Sequence, residues 1–158
     1  MRWSKLKKVV EEGFAPAVQG RVEVMVTRYR NAHDQAGRWG ILIDGEEVCG
    51  LGDMEAEMIE NELIAGLVGE LGLEPSQVQG RAQETMRARA QHKVHMFNES
   101  VFDFTNMSID AALESGDVIQ RCLAILDRRT GKRRLERLRD GCISTTIERR
   151  ILTLRSQG

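Results

Sequence analysis

The sequence predicts an α+β fold, with an N-terminal helix, a three-stranded antiparallel sheet and then a mostly helical C-terminal half. Three observations carry that expectation. Residues Arg21 to Arg30 alternate with a period of two. An Asp44-Gly45 pair separates two apolar runs, which is the signature of a tight hairpin. From Asp53 onward the apolar period becomes helical.

Trp3 to Gly13 reads as an amphipathic helix, because Trp3, Leu6, Val9 and Val10 fall at helical spacing and the lysines and glutamates fall elsewhere. Its lysines come early and its glutamates late, against the helix dipole, so tertiary packing has to hold it. Gly13 and Pro16 mark its end. In the first strand Val22, Val24 and Val26 point one way, and Glu23, Met25, Thr27 and Tyr29 the other. Asn31 to Gly37 is polar and turn-like, and Arg38 to Ile43 reads as the second strand. Asp44-Gly45 suits a type I′ turn, which needs positive φ at both positions, and leads into a third strand at Glu46 to Cys49.

Ile59, Leu63, Leu67 and Leu71 then form an i, i+4 stripe, widened by Met58, Ile64 and Val68, with Asp53 as the expected N-cap. Gly72 and Pro75 mark a stop, and Ser76 with Gln79 reads as the capping box of a helix running to about His95, with Val78, Ala82, Met86, Ala90 and Val94 inward. Asn98 is the expected cap of a short piece bearing Val101, Phe102 and Phe104. Ser108 caps Ile109 to Leu113, and Asp117 caps Val118 to Asp127. A last helix covers Thr145 to Leu154, with Ile147, Ile151 and Leu154 inward. No Pro/Ser-rich linker divides the chain, so residues 1–158 read as one domain, with helix and meander over 1–52 and helices over 53–158.

Several segments together resemble a known family. They are the opening Trp3-Ser4-Lys5-Leu6-Lys7, Gly20-Arg21-Val22-Glu23, Thr27-Arg28-Tyr29-Arg30, His33-Asp34, Gly37-Arg38-Trp39 and Asp44-Gly45-Glu46-Glu47. Downstream come Leu113-Glu114-Ser115, Ile119-Gln120-Arg121 and the run from Ala124 to Arg133. The chain is similar in these to a family of small bacterial proteins without an assigned activity. The resemblance covers most of the chain and is weakest between Met54 and Gln91. It implies a bacterial, cytoplasmic protein and transfers no catalytic residue.

Composition narrows the class further. A chain of 158 residues is the size of one domain, and with 4% aromatic residues its core must rest on aliphatic side chains. Cys49, Cys122 and Cys142 are odd in number and far apart, which excludes a CxxC redox pair or a zinc knuckle and points to free thiols in a reducing compartment. The basic N-terminus has no apolar core behind it, so it is not a secretory signal. No apolar run approaches the roughly 18 residues of a membrane helix. The expected location is the cytoplasm, without membrane association.

Charge is unevenly placed. Residues 44–74 hold ten acids and no base, whereas residues 121–158 hold eleven bases against four acids. The tail could face phosphate, through Arg128, Arg129, Lys132, Arg133 and Arg134, or an acidic partner. Lack of aromatic interleaving and of any nucleic-acid-binding signature favours instead a tail that meets the acidic helix within the fold or across a dimer, or simply solvated helix faces. Gly131-Lys132 does not make a phosphate loop, since position 126 is Leu, position 133 is Arg and a helix precedes it; a helix-end turn is expected there.

His92 and His95 stand i, i+3 on a predicted helix and could share a metal with Glu99 or His33, but the spacing is common by chance and exposed histidines are expected. His33-Asp34 reads as a local turn pair. Cys142, in an Arg-rich setting, lacks a histidine near it and reads as an inert thiol. Arg28, Tyr29, Arg30, Arg38 and Trp39 cluster at adjacent strand ends and are residue types enriched at interface hot spots, with Trp39 packed on the first helix as the competing reading.

The sequence names no reaction. The expected function is that of a non-enzymatic protein-interaction or regulatory protein, immunity-like, with an unknown protein partner. Nucleic-acid binding through the basic tail is the second reading and an unrecognised enzyme the third. No cofactor and no metal are expected. A homodimer is left open, because a self-complementary charge pattern can drive one.

Overall fold

A computed structural model describes residues 1–28, 36–141, 143 and 145–157. Helix α1 (Trp3–Glu12) is followed by strands β1 (Val22–Arg28), β2 (Gly37–Ile43) and β3 (Glu46–Gly52). Seven further helices follow: α2 (Asp53–Leu71), α3 (Pro75–Ala88), α4 (Val94–Phe104), α5 (Ile109–Leu113), α6 (Val118–Leu126), α7 (Lys132–Asp140) and α8 (Thr146–Ser156).

The sheet is an antiparallel meander in the order β1-β2-β3. Val22 pairs with Ile43 and Arg28 with Gly37, while Ile41 pairs with Cys49 and Leu42 with Glu47, so Val48 is the extra residue of a bulge. Asp44 and Gly45 both have positive φ, at 51° and 83°, as a type I′ turn requires. Period-two alternation buries Val22 and Val24 on the face that receives the helices.

Helix α6 is the axis of the core, because eight of its residues are buried and its apolar character runs all round it. It packs against α3, α4, α5 and α8. Phe14 bridges to Asp127, and the Ala15 N–H donates to the Leu126 carbonyl at 2.8 Å, which ties the end of α1 to the end of α6. One apolar core therefore runs from Leu6 to Leu154.

Several expectations are corrected. Val9 is 44% exposed, and only Leu6 and Val10 of α1 are buried. Asp53 does not cap α2, whose N-cap is Gly52. Its carboxylate instead accepts from the Val94 N–H at 2.7 Å and the Gly37 N–H at 2.9 Å, pinning the start of α4 to the start of β2. Helix α3 begins two residues earlier than expected. Glu74 is its N-cap with Pro75 at N1, and the Glu74 N–H donates to Gln77 Oε1 at 3.0 Å. It ends at Ala88 rather than near His95. Ala90 takes a left-handed φ of 55° and the Gln91 N–H closes on the Met86 carbonyl at 2.9 Å, a Schellman-type stop made without glycine. Helix α4 accordingly starts at Val94, not at Asn98. Helix α7 was not expected at all: its sequence KRRLERLRD offers Leu135 and Leu138 as its only apolar residues, too few to show a period. The caps Ser108 and Asp117 stand as read, each accepting a backbone N–H with its side chain, and Thr145, read as the first residue of the last helix, is its N-cap instead.

Candidate interaction surface

Helix α2 carries two apolar faces. One holds Ala56 and the buried Glu60 and packs with Met86 and Met96 in a small second core, flanked by the partly buried Ile59 and Leu63. The expected stripe of Ile59, Leu63, Leu67 and Leu71 is thus only half covered: no residue of α2 beyond Glu60 is buried, and Leu71 is 40% exposed. The other face carries Met54, Met58, Asn61, Ala65 and Val68, spaced 4, 3, 4 and 3 apart. That is the seam spacing by which one helix meets another. Met54 is 69% and Met58 64% exposed. Of the seven large apolar side chains exposed among the described residues, four (Met54, Met58, Leu71 and Leu73) lie on α2 or the turn after it. The sequence signal was present, but the apolar residues of both faces together blurred the period.

The seam is acidic at its borders. Glu55 and Glu62, on its border, stand in no ion pair among the described residues, whereas Glu57 and Glu60 share the Lys93 ammonium at 2.9 Å each. Burial pushes the Glu60 carboxyl up, but Lys93 and the Gln79 amide outweigh it and hold it below the usual carboxylate range. The acids of residues 44–74 that are paired meet Arg21, Arg38 and Lys93, and among the described residues no ion pair joins them to the basic tail. Part of the tail's charge is met by carboxylates nearby. Arg129 grips Asp127 through two hydrogen bonds of 3.0 and 2.9 Å, and Arg134 grips Asp110 at 2.8 and 3.0 Å. Lys132 lies 3.9 Å from Glu136, and Arg128 and Arg133 are exposed.

The sheet-end cluster is only partly a surface. Trp39 is fully buried, stacked on Phe97 at 4.6 Å between ring centres, with its Nε1–H donating to the His92 carbonyl at 2.6 Å. It is a core residue, packed on α4 rather than on α1. Arg38 donates to the Glu47 carboxylate. Arg28 is exposed at the end of β1. Tyr29, Arg30, His33, Asp34 and Cys142 lie outside the described residues.

His92 is also corrected, since it is fully buried and sits in the loop before α4, while His95 is exposed on α4 itself. The His92 Nε2 is 3.1 Å from both oxygens of Asp117. The same carboxylate accepts from the Ser100 hydroxyl and from the Ile119 N–H at 2.8 Å. Burial pushes the Asp117 carboxyl up, but the His92 ring, Ser100 and Ile119 outweigh it and hold it below the usual range. Asp117 stands in the centre of the Ser–Asp–His chain, where a serine nucleophile would need the histidine. Its donors engage both oxygens, so its physical role is to fasten α4 and the α3–α4 loop to α6. An open cleft of about 500 Å³ lies beside it, lined by Arg87, Glu99, Asp103 and Gln120 among others. The Cys49 thiol is pushed up to about 11 and the Cys122 thiol well above its ordinary value, both chiefly by burial, so neither is a thiolate at neutral pH. No helix is long and apolar enough to cross a membrane among the described residues.

These features define the class: an α+β protein in which a short meander is covered by helices and an acidic helix bears an exposed methionine seam. The chain belongs to the SF0329 protein family, which it matches over residues 2–155. Neither the curated proteins nor the solved structures give a match.

Proposed function

We propose that this protein is an interaction protein whose docking element is the exposed face of α2, and that its partner presents a basic amphipathic helix. The observation that carries the reading is the seam of Met54, Met58, Asn61, Ala65 and Val68, helically spaced and, apart from the half-buried Val68, left exposed by the fold. Exposed methionines are flexible and polarisable, so they mould to an incoming apolar face. Glu55 and Glu62, which border the seam, complement lysines or arginines on the partner and discourage an acidic competitor.

The test is a pull-down with nuclease-treated lysate, using the wild-type chain and a Met54→Glu/Met58→Glu variant. The expected result is a protein retained after nuclease by the wild type and lost from the variant. Retention by both, or recovery only when nucleic acid is intact, contradicts the proposal.

A further inference from the structure

The groove between α7 and α8 has a different chemistry, independent of the docking reading. Lys132, Leu135, Glu136 and Arg139 fall at i, i+3, i+4 and i+7, so they share one face of α7. That face looks onto α8 across two hollows that share Arg139. One, of about 240 Å³, is bounded by Lys132, Glu136, Arg139 and Arg155, and the other, of about 400 Å³, by Arg139 and Arg149 over Leu152. Four cations thus face one carboxylate, an excess of three positive charges.

The arginines of this groove differ from the five that are bonded to a carboxylate. Arg21, Arg38, Arg121, Arg129 and Arg134 each grip a carboxylate. By contrast, Arg155 donates to the Thr130 carbonyl at 3.1 Å and Arg149 to the Ile143 carbonyl at 3.1 Å, both neutral acceptors. The Arg155 Nε is buried and has no acceptor among the described residues, and Arg139 stands in no ion pair among them. Burial pushes the Arg155 guanidinium down from its ordinary value, with only partial relief from Asp127. A half-buried guanidinium without a counter-anion is unfavourable by itself and becomes favourable when an anion completes it.

We infer that the α7–α8 groove binds a small phosphorylated ligand carrying two phosphate groups. A diphosphate brings about three negative charges near neutral pH, which match the excess, and guanidinium groups bond phosphate oxygens in pairs. The hollow bounded by Lys132, Glu136, Arg139 and Arg155 is the more enclosed of the two and suits a small molecule. Arg129 and Arg134, which would have to follow a nucleic-acid backbone, are already held by Asp127 and Asp110.

The test is calorimetric titration of the full chain with inorganic pyrophosphate at fixed ionic strength, against sodium chloride and a DNA duplex of about 12 base pairs. Variants are Arg139→Gln/Arg149→Gln, on the groove, and Arg128→Gln/Arg133→Gln, outside it, each checked for unchanged urea unfolding. Saturable pyrophosphate binding is expected, weakened about tenfold or more by the groove variant. Binding unchanged in Arg128→Gln/Arg133→Gln and in Met54→Glu/Met58→Glu is also expected, so this proposal and the docking proposal fail separately. Pyrophosphate no better than chloride, equal weakening by both arginine variants, or a duplex that displaces pyrophosphate and depends on Arg128 and Arg133 would overturn the inference.

Discussion

Replacing Asp117 removes the group on which three elements converge. In Asp117→Ala the cap of α6 is lost, at about 1 kcal/mol. The fully buried His92 Nε2 loses its partner, at about 1–3 kcal/mol. The Ser100 hydroxyl is spared, because it can turn wholly to the Met96 carbonyl 2.9 Å away. The total is about 3 kcal/mol, which at a urea slope of about 2 kcal/mol/M moves the unfolding midpoint down by about 1.5 M. Asp117→Asn keeps one accepting oxygen for the cap and exchanges the other, with its charge, for an amide N–H2, so its cost is about 1–2 kcal/mol. The assay is urea unfolding at neutral pH with the slope held under scrutiny. An alanine variant shifted by less than about 0.5 M at unchanged slope, or an asparagine variant as damaged as the alanine one, would refute the reasoning.

The same carboxylate sets an acid limb. Its folded pKa lies below the unfolded value of about 3.9, so its contribution is present above that pH and is lost as pH falls through the folded pKa. Asp117→Asn should therefore flatten stability below about pH 4 relative to wild type, measured by urea midpoints across an acid series. Ala90→Gly should stabilise by about 1 kcal/mol, because glycine takes the left-handed φ of 55° without a Cβ penalty; a loss of stability would show that the Ala90 methyl matters more. Asp53→Ala should cost about 2 kcal/mol by orphaning the Gly37 and Val94 N–H groups, with hydrogen exchange rising at both amides. In a Cys142→Ser background Cys49 and Cys122 should resist a thiol reagent at pH 8 until denaturant is added, and fast labelling of the native chain would contradict their burial.

What the sequence could show was local. The Asp44-Gly45 turn, the strand alternation and the caps at Ser108 and Asp117 are set by residues within one turn of each other, and all are legible. The errors lie where a side chain serves a distant element. Asp53 has the position and chemistry of a cap, but the N–H groups it accepts are 16 and 41 residues away. His92 sits in a polar run and read as exposed, yet its partner Asp117 is 25 residues on. Helix α7 has almost no apolar period and is held by Leu135 in the core and by Arg134 on Asp110. The stop after α3 was missed because Ala90 fills a position at which glycine is the usual signal. Helix α2 is legible as apolar and helical, but which of its faces the fold covers depends on α3 and α4.

On the reading proposed above, the outer face of α2 receives a basic amphipathic helix. The most direct measurement is an amide chemical-shift titration of the labelled chain with a Lys/Leu amphipathic peptide of about 18 residues, beside a Glu/Leu peptide of the same pattern. The account predicts saturable shifts confined to Met54 through Leu71 and the facing turn with the basic peptide alone, weakened by salt and lost in Met54→Ser/Met58→Ser. Shifts that are absent, that the acidic peptide produces equally, or that fall on α7 and α8 instead would contradict it.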